Sequence, residues 1–542
     1  MTYYTDQQNW LQKAESLIPV LITTEKRPSH LVSVVPDPSG FQGWTAVNSA
    51  PVESILGQIL DRKAEFIVDF DEHVVGQLRL TIGLGGNVAD APLRLRLVFG
   101  EVVAEVAEPF DPYPGTLSRS WLQDEIVTID VLPATIILPR RYAFRYLKIQ
   151  VIDTSPWYTI HIDDIVCLAV SSADSRALSP TSEQLDTSYR ELDRVSLRTL
   201  SNCMQTVFED GPKRDRRLWI GDLRLQALTN YASFKNNDLV KRCLYLFAGL
   251  ANDTGAIPAN VYETPVPHGG NEILYDYSAL YPVVLADYYR ASADRDTATD
   301  LWPAAKRQLE IVLQFVNKEG VFNDPGNIWL LVDWCKPLDR QASLQSIIIY
   351  ALRHAVIFAQ SIDQPGDAQE FAKKISIMEK AARENFYDAE NNLCVSGTAK
   401  QVSWASWAWM TLAGVLTADE AVRSFLALKK SHDPILPQGP YLYHHVVEAL
   451  FMCGLVDHAT AILEKYWGGM LDKGATTFWE VYNPDDDFLS PYNSHLINSY
   501  CHAWSCTPSY FIRTKLMGDK QKKVGGGFDL LLATLSKAHI DP

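Results

Sequence analysis

The first third of the chain shows a two-residue alternation of apolar and polar positions, which is typical of half-buried strands. The clearest runs are FIVDF at 66–70, LRLTIGL at 78–84, LRLRLVF at 93–99 and RYLKIQVID at 145–153. Turn-rich breaks such as DPYPG at 111–115 separate these runs at the intervals seen in sandwiches. The pattern predicts an N-terminal antiparallel β-sandwich domain over residues 1–188, including a linker rich in Ser, Thr and Asp at 171–188.

From about residue 189 to residue 515 the period changes to that of helices, as in SLQSIIIYALRHAVIFAQSI. With helices of three to four turns, this span holds about twelve of them. Twelve helices suit two concentric rings, an (α/α)6 barrel, and the lack of a fixed sequence repeat disfavours a solenoid. Residues 516–542 are too few for a domain and are expected to form a short C-terminal β extension.

Composition and charge restrict the class of partner. The chain is 47% hydrophobic and 21% charged, and its net charge of -16 disfavours nucleic acid, because an acidic surface repels polyanions. No apolar stretch reaches the roughly 18 residues that span a bilayer, so no membrane partner is expected. The N-terminus lacks a secretory signal pattern, and the eight cysteines show no metal-like spacing. We therefore expect a cytoplasmic protein with reduced thiols, and the sequence leaves a homodimer open.

The segment FEDGPKRDRRLWIGD at 208–222 is the first candidate for chemistry. Asp215 and Asp222 are seven residues apart, about two helical turns, so both carboxylates can point into one cavity with Asp210 nearby. The plainer interpretation is a charged helix start, in which acids near the N-terminus interact with the helix dipole and with neighbouring arginines. Local sequence alone does not separate the two.

A second candidate segment, at 475–510, places Glu480 beside Trp479 and is followed by His502. A carboxylate among aromatic side chains is common in sugar-binding sites, because flat rings suit the apolar faces of sugars. A Glu beside a Trp also occurs in ordinary helices. The nearby run Asp485-Asp486-Asp487 lacks the spacing of a calcium loop and is expected to be a solvated loop.

Taken together, the two segments resemble glycoside hydrolase family 78, the α-L-rhamnosidases. The family pattern begins with an acid, a Pro and a basic residue, followed by the catalytic acid and Trp-x-Gly-Asp. This sequence matches it with Asp210, Pro212, Arg214, Asp215 and Trp219-Ile220-Gly221-Asp222, in that order. The Thr-Thr-x-Trp-Glu segment of the family is read as residues 476–480, and its later His as His502. An Asp-Trp pair of the family matches Asp333 and Trp334.

The resemblance implies an inverting glycosidase that releases terminal α-L-rhamnose from small rhamnosides and needs no cofactor and no active-site metal. It assigns Asp215 as the general acid and Glu480 as the general base. It also implies substrate-binding roles for eight further residues: Asp210, Arg214, Trp219, Asp222, Asp333, Trp334, Trp479 and His502. The chain departs from the family in two ways, since much of the family has Glu in place of Asp215 and a sizeable C-terminal β domain.

An Asp that acts as a general acid near neutral pH must have its pKa raised by burial or by neighbouring anions. Asp210 and Asp222 are candidates for those anions. Cations beside Asp215 would work in the opposite direction. We therefore predict that the neighbouring arginines Arg214, Arg216 and Arg217 mostly face outward or pair with other acids.

Two alternatives remain open at this point. The same barrel serves hydrolases of other sugars, such as glucosides and unsaturated uronides, and a fold does not fix a substrate. A catalytically weak carbohydrate-binding relative is the other alternative, because Asp215 is one methylene shorter than the usual Glu.

Overall fold

The structure is a computed structural model, and it describes residues 3–178, 180–183 and 185–517. An antiparallel β domain is followed by a helical domain, which confirms the predicted order of the two fold classes. The predicted C-terminal β extension at 516–542 lies, apart from its first two residues, outside the described residues.

Nine strands and one short helix form the β domain. In chain order they are β1 Ile22–Lys26, β2 His30–Pro36, β3 Trp44–Pro51, β4 Glu65–Gly86, β5 Leu93–Gly100, α2 Ala104–Ala107, β6 Asp124–Ile129, β7 Ala134–Ile137, β8 Tyr142–Asp153 and β9 Tyr158–Ser171. All nine strands belong to one hydrogen-bonded antiparallel sheet, with the path β1-β9-β4-β8-β5-β6. The long strand β4 holds the sheet together, because its first half pairs with β2 and its second half with β9.

A helix that precedes the sheet, α1 (Gln7–Ser16), packs on the helical domain. Its Trp10 is buried in the core of that domain and donates a hydrogen bond from Nε1 to Asp300 at 3.1 Å. Lys13 forms an ion pair with the same carboxylate at 2.6 Å. The prediction of one β unit over residues 1–188 did not include this helix, since ten residues of mixed polarity carry little sign of what they pack against.

Apart from short 3-10 helices, the helical domain contains twelve helical segments among the described residues. They are α3 Thr187–Cys203, α4 Ile220–Ala232, α5 Asn237–Gly249, α6 Tyr275–Ser292, α7 Arg295–Leu313, α8 Gln341–Ser361, α9 Pro365–Phe386, α10 Trp404–Leu412, α11 Ala418–Leu428, α12 Pro440–Met452, the segment 456–472 (α13 Val456–Ile462 and α14 Gly468–Asp472 joined by a π-helix), and the segment 508–516 (α15 Pro508–Phe511 with a π-helix). Two small sheets complete the domain: β10 Leu218–Trp219, β11 Asn260–Tyr262 and β12 His268–Gly269, and β13 Tyr387–Asp388, β14 Leu393–Ser396 and β15 Gln401–Val402.

The helices alternate between an outer and an inner ring, as an (α/α)6 barrel requires. The helices α4, α6, α8, α10, α12 and α15 contact one another in that order, and α15 returns to α4. The inner helices are apolar almost all round because neighbours cover every face. Helix α8 is long and apolar enough to cross a membrane, but 83% of its most apolar window is buried inside the domain, so core packing accounts for that composition.

Candidate active site

A cavity opens at the end of the barrel where the inner helices begin. It is lined by Asp210, Arg214, Asp215, Trp219, Asp222, Leu274, Tyr277, Trp329, Leu331, Trp334, Glu480, Tyr492, His502 and Trp504. Every one of these residues lies in a connection that leads from an outer helix into an inner one, or in the first turn of the inner helix. The barrel thus brings side chains nearly 300 residues apart in the chain into one site.

Asp215 lies on a turn whose backbone is strained. Asp215 and Arg216 both have positive φ, 58° and 54°, a region that costs an L-residue free energy and that Asp tolerates better than most residues. Asp210 closes this turn through two hydrogen bonds with Arg217. Its carboxylate accepts from the backbone N–H of Arg217 at 3.0 Å, and its own backbone N–H donates to the carbonyl of Arg217 at 2.9 Å. Strain held in this way is frequent at functional sites.

Arg214 connects the two carboxylates that the sequence singles out. One terminal nitrogen of its buried guanidinium bonds Oε2 of Glu480, and the other lies 3.6 Å from Oδ1 of Asp215. Its Nε donates to the carbonyl of Ile497 at 2.8 Å, so the cation is fixed from a third side. Burial alone would lower the pKa of Arg214, but the charges of Glu480, Tyr492, Asp215 and Asp210 together outweigh burial, so the net shift is upward and the cation is retained.

Glu480 is held at both carboxylate oxygens. The phenol of Tyr492 donates to Oε1 at 2.5 Å, while Oε2 accepts from Arg214 and, at 3.4 Å, from the backbone N–H of Ser499. Only 3% of the Glu480 side chain is exposed, against 18% for Asp215. The two carboxylates therefore differ: Glu480 is buried and fully bonded, whereas Asp215 is accessible from outside.

The arginines only partly follow the predicted orientation. Arg216 turns away, as predicted, and donates to the carbonyls of Pro212 and Arg141 at 2.8 and 2.7 Å. Arg214 faces inward but pairs with another acid, Glu480, while also lying 3.6 Å from Asp215. Arg217 lies 3.6 Å from Oδ2 of Asp215, so for Arg217 the prediction is wrong. The positive φ at Asp215 and Arg216 turns the chain back on itself, which brings Arg217 beside the carboxyl two residues earlier.

Burial sets the protonation of the other polar groups in the cavity. It raises the pKa of Asp210 well above its usual range, aided by the charges of Asp215 and Asp222. It raises the pKa of Asp222 to about 8, with a further contribution from the charge of Glu480. Burial, with Arg214 nearby, lowers the pKa of His502 well below its usual value, so this ring is neutral.

Several buried polar atoms of the cavity have no hydrogen-bond partner among the described residues: Asp222 Oδ1, His502 Nδ1 and Trp334 Nε1. Leaving a buried polar atom unpaired costs free energy, so such atoms mark places where a ligand can bond. They include both an acceptor and a donor, which suits hydroxyl groups. Apolar side chains complete the lining, among them Leu274, Leu331 and Trp504.

Two of the predicted substrate-binding residues lie outside this cavity. Trp479 points toward the β domain and stacks on Phe41 with ring centroids 4.4 Å apart. Asp333 is buried and accepts from the backbone N–H groups of Trp334, Gln438 and Gly439 at 2.9, 2.8 and 3.1 Å. Both sit next to a residue that does line the cavity, and adjacent residues of an extended segment point to opposite sides.

The structure also adds residues that the sequence argument did not select. Tyr492 bonds Glu480, the Tyr277 hydroxyl lies 3.4 Å from Oδ2 of Asp222, and the rings of Trp504 and His502 are tilted against each other with centroids 4.3 Å apart. Tyr492 and Trp504 fall within the aromatic segment 475–510, so its composition pointed to them without identifying them. No grouping of three or more His, Cys, Asp or Glu that could hold a metal occurs in the described part of the chain.

Comparison with known proteins places this geometry in a family. The model of the glycosyl hydrolase family 78 alpha-rhamnosidase N-terminal domain matches residues 28–169, and that of the bacterial alpha-L-rhamnosidase 6 hairpin glycosidase domain matches residues 182–516. Among curated proteins no match is found. A rhamnosidase from Klebsiella oxytoca with rhamnose bound has 42% sequence identity and a TM-score of 0.91, over 93% of this chain and 98% of that one.

Longer rhamnosidases share the fold. The family 78 rhamnosidase of Bacillus sp. GL1 is 21% identical with a TM-score of 0.71, over 86% of this chain and 49% of that one. The α-L-rhamnosidase of Streptomyces avermitilis complexed with L-rhamnose is 17% identical with a TM-score of 0.64, over 92% of this chain and 44% of that one. This chain thus spans about half the length of these two enzymes. Both domains match by family model and by structure, and the chain belongs to glycoside hydrolase family 78, the α-L-rhamnosidases.

Proposed function

We propose that Asp215 protonates the glycosidic oxygen of a terminal α-L-rhamnoside while Glu480 activates the attacking water, so that hydrolysis inverts the anomeric centre. The glycosidase class follows from the family. The observation that carries the two roles is that both carboxylates line one cavity and contact different nitrogens of Arg214. Inverting enzymes need two carboxyls about 6.5–9.5 Å apart with water between them. Here the two carboxyls are separate and each contacts its own nitrogen of Arg214.

The surroundings of Glu480 suit a general base. A base must be ionised before it can accept a proton from water. Arg214 and Tyr492 both donate hydrogen bonds to the carboxylate, one to each of its oxygens. Their positions also fix the direction in which the carboxylate faces the cavity.

The position of Asp215 suits a general acid. It is the more exposed of the two carboxyls, so a leaving group that departs toward solvent can pass it. Asp210 and Asp222 lie close enough to interact with it through their charges. Burial raises the pKa of Asp210 and of Asp222, so these two carboxyls beside Asp215 favour the protonated form.

We assign the unpaired atoms of the cavity to the hydroxyls of the sugar. Asp222 Oδ1 and His502 Nδ1 are 3.8 Å apart, so neighbouring hydroxyls of one ring can reach both. Trp334 Nε1 is a donor for a further oxygen. Rhamnose is a 6-deoxy sugar, and the apolar side chains of Leu274, Leu331 and Trp504 offer a contact for its methyl group.

We infer further that the substrates are small glycosides met in the cytoplasm. All eight cysteines lie in the described part of the chain and none forms a disulfide, even though Cys203 Sγ and Cys501 Sγ are 4.0 Å apart. Unbonded thiols so close together are consistent with a reducing compartment. Light scattering on the purified protein would test whether it is the homodimer that the sequence leaves open.

The test is a proton NMR time course on 4-nitrophenyl α-L-rhamnoside, in which the first sugar formed must be the β-anomer. On this substrate Glu480→Gln is expected to lower turnover by several orders of magnitude. Asp215→Asn is expected to do so on methyl α-L-rhamnoside, whose leaving group must be protonated, and both variants should keep the fold. Asn at position 215 is isosteric with Asp and tolerates positive φ, so it removes only the proton donor. Retention of the α-anomer, wild-type rates of either variant on its stated substrate, or faster hydrolysis of the matching glucoside or uronide would refute the proposal.

A further inference from the structure

The turn that carries Asp215 is tied to the β domain by Lys213, two residues before it. Lys213 Nζ donates to Oε1 of Glu105 at 2.5 Å and lies 3.3 Å from Oε2 of Glu101. All three side chains are buried, with at most 3% of each exposed. Because each charge would be costly to bury alone, the cluster holds only in this arrangement, and it fixes Lys213 to the β domain.

A second tie follows directly after Asp215. The guanidinium of Arg216 donates from Nε to the carbonyl of Pro212 at 2.8 Å and from a terminal nitrogen to the carbonyl of Arg141 at 2.7 Å. Arg141 immediately precedes strand β8, and it also pairs with Glu209 at 2.6 Å. The first bond closes the turn on itself, and the second joins the turn to the sheet.

These two ties enclose the strained part of the backbone. Asp215 and Arg216 are consecutive residues with positive φ, and neither is glycine. Such a conformation persists only where surrounding contacts hold it in place. Released from the β domain, the turn would relax, and the carboxyl of Asp215 would leave the cavity wall.

We propose that the N-terminal β domain positions the proton donor, with Lys213 and Arg216 as the positioning residues that hold Asp215 toward the cavity. The proposal rests on the proposed role of Asp215 and gives the β domain a part in catalysis. Neither positioning residue lines the cavity, so their effect on hydrolysis acts through the cavity-lining residues between them, Arg214 and Asp215.

The leaving group separates this role from a merely structural one. A good leaving group such as 4-nitrophenolate departs with little protonation, whereas an alkoxide must be protonated as the bond breaks. A displaced proton donor therefore slows hydrolysis of methyl α-L-rhamnoside far more than that of 4-nitrophenyl α-L-rhamnoside. General loss of folded protein slows both equally.

The experiment compares kcat/KM on these two substrates for Arg216→Met and for the double variant Lys213→Met/Glu105→Gln, which leaves the formal charge of the cluster unchanged. For both variants we expect the loss of kcat/KM on the methyl glycoside to exceed the loss on the 4-nitrophenyl glycoside by at least about tenfold. The upper limit of this difference is the hundred- to ten-thousandfold contribution of general acid catalysis. The matched control is Glu72→Gln, which breaks the 2.6 Å ion pair of Glu72 with Arg198 across the same domain interface but away from the turn. This control is expected to stay within about twofold of wild type on both substrates.

Equal losses on both substrates, or no loss, in folded variants would overturn the proposal. If the double variant does not fold, Arg216→Met alone is the test. We expect Arg216→Met to fold, because the backbone carbonyls that Arg216 bonds in wild type can accept hydrogen bonds from water instead. Arg216→Lys, which keeps one donor, should recover part of the loss. Asp215→Asn separates the two proposals: if it lacks the selective loss, the donor role itself fails, and if it alone shows the loss, only the positioning role fails.

Discussion

Tyr492 donates a hydrogen bond of 2.5 Å to Oε1 of Glu480, the oxygen that Arg214 leaves free. Two residues twelve positions apart in the chain are thereby joined at the base of the site. The carboxylate cannot rotate without breaking at least one of its hydrogen bonds. Its orientation toward the cavity is set before any substrate enters.

Tyr492→Phe is expected to lower kcat/KM on an aryl rhamnoside about ten- to hundredfold, because a hydrogen bond to a charged group is worth about 1.5–3 kcal/mol. The Phe ring keeps the contact with Arg214, whose guanidinium lies 4.4 Å from the ring centre. Tyr466→Phe is the matched control, since its buried phenol bonds the carbonyl of Tyr482 at 3.0 Å outside the cavity. Equal activity of the two variants would contradict the role of Tyr492.

The pair of Arg214 and Glu480 should be visible in stability as well as in activity. Arg214→Met leaves a buried carboxylate without its cation and is expected to destabilise the protein by about 3–5 kcal/mol. Adding Glu480→Gln to Arg214→Met removes the unpaired charge, so this double variant should regain much of the lost free energy of unfolding. The four proteins to compare are wild type, the two single variants and the double variant. Chemical denaturation of the four proteins gives the coupling energy, and strictly additive effects would rule out the pairing.

Asp222 should make the stability of the protein fall with rising pH. Burial raises the pKa of this carboxyl to about 8, and in the unfolded chain it is near 3.8. The folded state therefore holds the proton more tightly, and the stability that it contributes is full below pH 4 and is lost as the pH rises through 8. Asp222→Asn has no such proton, so its melting temperature should fall less than that of wild type between pH 5 and pH 8.5. Asp61→Asn, at an exposed acid of the β domain, should follow wild type, and parallel curves for all three proteins would contradict the prediction.

Trp334 and Trp479 are expected to respond differently to substitution. Trp334→Phe removes the unpaired Nε1 of the cavity and should raise KM about three- to tenfold, the effect of one neutral hydrogen bond. Trp479→Phe keeps a ring against Phe41 and should leave KM unchanged while lowering the melting temperature, because it packs between the two domains. A larger rise in KM for Trp479→Phe than for Trp334→Phe would show that the cavity has been wrongly assigned.

The sequence predicted those parts of the fold and site that depend on periodic patterns or on fixed spacing. Two-residue and 3.6-residue periods report which faces are buried, so the order of β and helical domains follows from them. Asp215 and Asp222 converge because one ends a turn and the other begins the inner helix that follows it. No sequence pattern indicates the positive φ at Asp215. Because this φ angle decides where Arg217 lies, the position of Arg217 could not be predicted. Tyr492 reaches Glu480 from within an irregular loop, which only tertiary packing determines.

Asp333 is the clearest case of a residue that the sequence selected and that the structure places behind the cavity wall. Its carboxylate accepts from three backbone N–H groups and thereby ties the segment that carries Trp334 to the start of helix α12. Burial raises its pKa to about 7, although these bonds act against the shift. Asp333→Ala should therefore raise KM through displacement of Trp334 and leave the ratio of methyl to 4-nitrophenyl rhamnoside hydrolysis as in wild type, because the proton donor is untouched. Asp333→Asn keeps one acceptor oxygen, so its KM is expected to lie between those of wild type and Asp333→Ala. A selective loss on the methyl glycoside would assign Asp333 to proton transfer instead.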